Sequence, residues 1–160
     1  MEKWYVLNVK SKKEFQVERM FQEGGLKIYN PKYRDGNRVK PFFPSYQFIL
    51  FSYPEQFKLV KYTRGVKRII GNDDGPIPMD EQIIQELKAR EVEGFIEFSK
   101  YGVEPSLGDE IEVVEGAFKG LRGIFKKDLS DQDRVLILLN YVSYQGRLLI
   151  EKKKLKKVIY

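Results

Sequence analysis

Between Ser99 and Leu107 the chain loses its hydrophobic periodicity, and the run Ser-Lys-Tyr-Gly-Val-Glu-Pro-Ser-Leu carries both Gly102 and Pro105. This break constrains the fold more than any other feature, because it divides 160 residues into two pieces, each small enough to close around one core. The expected organisation is a domain over residues 1–98, a linker over 99–107 and a second domain over 108–160.

The first piece alternates strand and helix signals. Trp4 to Val9 is rich in strand formers, and Ser11 with Glu14 has the spacing of a capping box ahead of Val17, Met20 and Phe21 on one helical face. Gly24-Gly25 stops that helix. A strand is expected over Lys27 to Tyr33, then a charged hairpin tip at Arg34-Asp35-Gly36-Asn37-Arg38, then an aromatic central strand from Tyr46 to Phe51. Alternation puts Tyr46, Phe48 and Leu50 on one face of that strand and Gln47, Ile49 and Phe51 on the other. A short helix after Pro54, a strand within Gly65 to Gly71 and a helix capped by Asp80 complete the series. This order resembles a split βαβ arrangement, an antiparallel sheet with flanking helices, so the chain reads as α+β.

The second piece has short strand-like runs at Ile111 to Val114, Gly123 to Lys126, Arg134 to Leu139 and Leu148 to Glu151. A small barrel closes such strands without exposed edges. Glu151-Lys-Lys-Lys-Leu-Lys-Lys157 is nevertheless made of helix formers, and Arg134 to Val142 is too short an apolar run to assign by period.

Composition removes whole classes of chemistry. With no Cys and no His there are no disulfides, no thiolate zinc sites and none of the commonest general bases, so neither an enzyme nor a cofactor is expected. Asp128, Asp131 and Asp133 cluster but lack the Gly and terminal Glu of a calcium loop. No apolar run reaches membrane-spanning length, which predicts a soluble, cytoplasmic monomer. Residues 1–40 carry ten Lys/Arg against five acids, residues 79–115 carry eleven acids against three Lys/Arg, and the last fourteen carry six Lys/Arg against Glu151. That unevenness creates two cationic surfaces that suit phosphates, while also being compatible with solvated faces.

Residues 108–124 read Gly-Asp-Glu-Ile-Glu-Val-Val-Glu-Gly-Ala-Phe-Lys-Gly-Leu-Arg-Gly-Ile, and the spacing of Gly108, Asp109, Gly116, Phe118, Gly120 and Gly123 resembles a KOW motif. Trp4-Tyr5, Pro41-Phe42-Phe43-Pro44-Ser45-Tyr46 and Thr63-Arg64-Gly65-Val66 resemble, in order and spacing, the N-terminal domain of NusG. The chain therefore resembles the NusG family of transcription elongation factors over nearly its whole length. Within that family, Glu115-Gly116-Ala117-Phe118, Ile124-Phe125 and Leu138-Leu139-Asn140 are most similar to the antitermination branch, RfaH. The resemblance implies a NusG-like domain followed by a KOW domain, the latter an SH3-like β-barrel or, if autoinhibited as in RfaH, an α-helical hairpin.

Function follows as implication. The resemblance implies a non-enzymatic factor that binds the clamp of the largest RNA polymerase subunit, suppresses pausing and termination, and couples transcription to translation through a small-subunit ribosomal protein. Its polymerase-binding patch would include Tyr5, Phe43, Pro44, Tyr46, Phe48 and Phe51, aromatic anchors that remove much surface from water with few rotors to freeze. Non-template DNA would meet Lys10, Thr63 and Arg64 at matching positions, with Lys12, Lys13, Arg19 and Lys61 supplying backbone contacts. RNA is a further candidate partner for the basic C-terminus. The alternatives are a general NusG factor and a KOW-containing ribosome- or RNA-binding protein, which leaves the N-terminal motifs unexplained.

One position departs from the branch. RfaH has an acid immediately before its Pro-x-Phe-Pro segment, paired with a C-terminal Arg to hold the closed state; here that place is Lys40, facing the counterpart Arg134. That ion pair cannot form, so autoinhibition either is lost or uses other contacts, such as Phe125 against the aromatic patch. Residues Glu55 to Leu59 also lack the His/Thr run of RfaH, so a different DNA preference is expected.

Overall fold

The structure, a computed structural model, describes residues 1–98 and 121–158. Its main sheet joins β1 (Glu2–Val9), β2 (Lys27–Tyr29), β5 (Tyr46–Ser52), β6 (Val66–Ile69) and β9 (Pro78–Met79) in the order β2-β5-β1-β6, with β9 sharing the β6 edge of β1. All pairings are antiparallel, from Glu2 opposite Ser52 through Asn8 opposite Tyr46. The α+β reading holds. β5 is central, flanked by β2 and β1, because its side chains find an apolar layer on each face.

Alternation along β5 sorts those layers as expected. Phe48, with Tyr46 and Leu50 against it, joins the cluster beneath α3 (Glu81–Ala89), while Ile49 and Phe51 join Tyr5, Leu7 and Val17 beneath α1 (Glu14–Glu23). Gln47 also turns to the second face, where its Nε2 donates to the Glu14 carbonyl at 3.0 Å. α2 (Phe57–Lys61) adds Val60 to the same layer.

The Asp80 cap forms, its carboxylate accepting from Gln82 N at 2.9 Å, and Ile83, Ile84 and Leu87 are buried. The Ser11–Glu14 capping box does not. Lys12 is left-handed at φ 64°, so Ser11 lies outside the helix; Lys13 is the N-cap and makes no side-chain cap. Glu14 instead accepts from Ser45 N at 3.0 Å, serving a tight corner of residue 45 rather than its own helix.

The expected strand over Lys27 to Tyr33 is two strands. Pro31 has no N–H to give a ladder, and Asn30 is buried with its amide on Glu18, so the chain turns there. β2 stays in the main sheet, whereas β3 (Lys32–Asp35) pairs with β4 (Arg38–Pro41) as a hairpin whose exposed tip is Gly36-Asn37 and whose base is half-buried. Beyond the strands expected from sequence, the chain forms β9 in the main sheet and two short hairpins, β7 (Gly71–Asn72) with β8 (Gly75–Pro76) and β10 (Glu91–Val92) with β11 (Phe95–Ile96).

The largest departure is C-terminal. The strand-like runs at 134–139 and 148–151 lie in one helix, α4 (Asp131–Val158), and 123–125 lie in a 3₁₀ turn (Leu121–Phe125). Ser130 Oγ accepts from Asp133 N at 3.1 Å and two acids occupy the first turn, a favourable helix start. Arg134, Leu138, Tyr141 and Val142 then fall on one buried stripe at helical spacing. The described part of this piece is one helix after a 3₁₀ turn, in place of the strands expected at 134–139 and 148–151. Gly108, Asp109, Gly116, Phe118 and Gly120 lie outside the described residues, as do the expected strand 111–114 and the linker.

Candidate partner-binding face

The face of the sheet opposite α1 is covered by the C-terminal segment. Ile124, Phe125, Leu138, Tyr141 and Val142 share one buried cluster with Phe42, Phe43, Phe48, Ile77, Met79 and the apolar side of α3. Its centre is Phe42, with no exposed surface, held at this point because Pro41 ends β4 and Phe42 N donates to Pro31 O at 2.7 Å. Around it stand Phe43 at 5.0 Å, Phe98 at 5.7 Å and Phe125 at 6.0 Å between ring centroids. Phe125 stacks on Phe42 at 27° between planes.

Arg134 is the deepest charged residue, 2% exposed. Its Nε donates to Phe42 O and its Nη1 to Leu129 O, both at 2.9 Å, and its Nη2 pairs with Asp131 on the same helix. The guanidinium carbon lies 4.6 Å from the Phe42 ring centroid, 5.1 Å from that of Tyr33 and 5.4 Å from that of Phe98. Planar and weakly hydrated, a guanidinium tolerates such a box better than an ammonium would. Tyr33 donates to Asp131 Oδ1 at 2.9 Å; burial, and next that bond, raise its phenol above the ordinary value. Lys40 takes no hydrogen bond across to α4. It pairs with Asp35 of its own hairpin at 2.7 Å, which raises the amine and lowers the carboxyl.

Farther along α4, Gly146 is buried against Ile77. A helix-interior glycine costs about 1 kcal/mol relative to alanine, so its presence calls for a packing reason. A Cβ here would lie 2.8 Å from Ile77 Cδ1 and 3.4 Å from Asn72 Nδ2. Ala is tolerable because the Ile77 methyl can yield. Gly146→Leu is expected to weaken docking of α4 by about 1–3 kcal/mol through overpacking, read as faster amide exchange along α4; unchanged exchange would show that close approach is not limiting.

Tyr141 supplies a pH dependence. Burial, with the charge of Asp80 second, pushes its phenol up to about 12 from an ordinary 10.0. The folded state favours the neutral phenol, so this contribution is complete below pH about 10 and is lost as pH rises to about 12. Wild type should lose stability across that window more steeply than Tyr141→Phe, measured by denaturant midpoints at both ends. Parallel profiles for the two proteins would contradict this assignment.

The sequence-derived candidates separate onto both sides of the sheet. Phe43, Tyr46 and Phe48 lie with the α4-covered cluster, although Tyr46 is only half-buried, and the half-buried Pro44 follows Phe43 in the chain; Tyr5 and Phe51 lie 4.5 Å apart between tilted rings within the α1 layer. The basic candidates gather elsewhere. Lys10 N donates to Gly65 O at 2.8 Å, which ties the Lys10–Lys13 turn to Thr63-Arg64. Gly65 is left-handed, φ 94°, and a Cβ there would meet Val17 Cγ2 at 2.6 Å, so only glycine lets this loop sit on α1. Lys10, Lys12, Lys13, Arg19, Lys61 and Arg64 are exposed, and Thr63 Oγ1 donates to Leu59 O at 2.8 Å. Tyr62, 74% exposed beside the Lys61 amine, went unnoticed in the sequence, as did Tyr33, Phe98 and Asp131 at the Arg134 box. The Asp-x-x-Arg spacing was the available signal for the last.

A family model described as "Transcription termination factor nusG" matches residues 2–88, more than half of the chain. The chain belongs to the NusG family. That span contains β1 through most of α3, including the Lys10–Arg64 junction and the Phe42 segment. NusG-family proteins are non-enzymatic transcription factors that interact with RNA polymerase. Among solved structures, one titled "Domain interaction in Thermotoga maritima NusG" is similar at 21% identity, covering 68% of this chain and 67% of that chain with a TM-score of 0.46. Among the described residues no helix is long and apolar enough to cross a membrane.

Proposed function

We propose that this NusG-family chain is an elongation and antitermination factor of the RfaH type, in which residues 1–98 form the polymerase-binding domain, 99–107 the linker and 108–160 the KOW domain. The observation that carries this reading is the seating of α4 on the Phe42 cluster, with Arg134 buried to 2%. In this reading the face beneath α4, through Phe43, Pro44, Tyr46 and Phe48, docks on the clamp of the largest polymerase subunit once α4 leaves. Tyr5 and Phe51 support that face from behind. The junction of Lys10, Lys12, Lys13, Thr63 and Arg64, with Arg19 and Lys61, follows the non-template strand by phosphate neutralisation and base-edge contact.

The released KOW segment refolds as a barrel that recruits a small-subunit ribosomal protein. Support comes from α4 itself, which is apolar on more than one side: Leu136, Tyr144 and Leu149 are 58%, 40% and 37% exposed in the docked helix. Such residues suit a second packing in which they turn inward, and two packings interconvert when they differ by a few kcal/mol.

Transcription by RNA polymerase on templates with a pause or a Rho-dependent terminator tests the function. Added protein is expected to raise read-through and to comigrate with the elongation complex. Absence of both would end the proposal. A protein acting only on RNA would leave the family match at residues 2–88 without a role.

A further inference from the structure

The box around Arg134 is built from two sources, and the division identifies what else fits it. Residues 1–98 contribute the ring faces of Tyr33, Phe42 and Phe98, the Phe42 carbonyl and the Tyr33 hydroxyl. They contribute no carboxylate to the guanidinium. The acid that balances Arg134 is Asp131, three residues earlier on the same helix, and it departs with that helix. The receptor therefore offers an acceptor and aromatic faces to a cation, and a hydroxyl donor to the cation's own carboxylate. Lys40, held as a cation mainly by Asp35 and also by Asp131, adds positive charge on the carboxylate side.

An unaccompanied guanidinium would lose its hydration here without a counter-charge, and an unaccompanied carboxylate would have the Tyr33 hydroxyl and only the long-range charge of Lys40. A self-paired, net-neutral Asp-x-x-Arg on one helical turn satisfies both ends. Leu138, fully buried four residues after Arg134, extends the docked pattern to Asp-x-x-Arg-x-x-x-Leu.

We propose that this box is a recognition subsite for a partner helix carrying Asp or Glu three residues before an Arg and an apolar residue four after it, and that α4 occupies it as an internal copy of that ligand. The inference rests on the polymerase-binding reading and narrows it to one anchor: a polymerase helix inserts its guanidinium between Tyr33, Phe42 and Phe98 when α4 withdraws.

The test uses the full chain with Arg134→Ala, which vacates the box, and core RNA polymerase. A photo-crosslinking phenylalanine at position 98 should capture a polymerase helix bearing the acid-x-x-Arg spacing. In the same background Phe98→Leu, which keeps apolar bulk but removes the ring face, should weaken polymerase binding about tenfold, and Phe98→Trp should preserve it. Binding that treats Leu and Trp alike, or a crosslinked segment without such an arginine, overturns the subsite while leaving the polymerase reading intact. Absence of polymerase binding by the Arg134→Ala chain itself, with near-ultraviolet dichroism unchanged, overturns both.

Discussion

Arg134→Ala is expected to release α4 from the Phe42 cluster. The substitution strips a buried guanidinium from the Phe42 carbonyl across the interface, leaving that buried acceptor unsatisfied, and from Leu129 O and Asp131 in its own segment. Removing one partner of such a network costs about 2–4 kcal/mol, a shift of roughly 30- to 1,000-fold in the docking equilibrium. Amide exchange along α4 should accelerate by that factor, and polymerase binding should strengthen. Arg134→Lys should retain little of the closure, because an ammonium cannot reach both carbonyls in the fork geometry or lie flat between rings. Undiminished protection of α4 in the alanine variant would show that apolar contact alone holds the helix.

The isolated segment 105–160 is expected to lose more than half of the helical dichroism that it contributes to the intact chain and to gain β signal. In the whole protein the stripe of Leu138, Tyr141 and Val142 is hidden by residues 1–98, as is Phe125 ahead of it. Without that surface a helix would expose this stripe together with Leu136, Tyr144 and Leu149, and most helix stability in proteins comes from packing rather than propensity. A barrel buries them instead, removing about 25 cal/mol per Å² of apolar surface from water. Equal helicity alone and in the chain would leave α4 an ordinary helix and remove the basis for a second fold.

How far these features were legible differs by element. β1, β5 and α3 were readable because several local signals agreed: strand formers with the alternation of Tyr46 to Phe51, and Asp80 capping Ile83, Ile84 and Leu87. The capping box at Ser11 misled because its two residues are shared with other demands: the Lys10 turn places Ser11 outside the helix, and Glu14 serves Ser45. The break at Pro31 was visible in the residue type, but that β3 leaves the main sheet for a separate hairpin was not. At the candidate face, the sequence singles out Phe125 and Arg134 as contact candidates, whereas it does not mark Tyr33 and Phe98. Nothing local marks an aromatic ring as one wall of a box whose occupant comes from 36 or more positions away.

The sequence alone determined which residue types are available for chemistry, the strands β1, β5 and β6, and the motifs that placed the chain beside NusG. Those properties are local: each depends on residue type, on spacing within one element, or on short motifs read in order. The state of residues 131–158 was decided by tertiary structure. Arg134 to Leu139 satisfies a strand or a helix about equally in isolation, and Ser130 with Asp131 tips the balance only slightly. What settles it is that residues 1–98 present a buried aromatic surface, a carbonyl on Phe42 that accepts from Arg134 and a slot over Ile77 narrow enough to need a small residue at 146, and only the helical spacing delivers Arg134, Leu138, Tyr141 and Gly146 to them together.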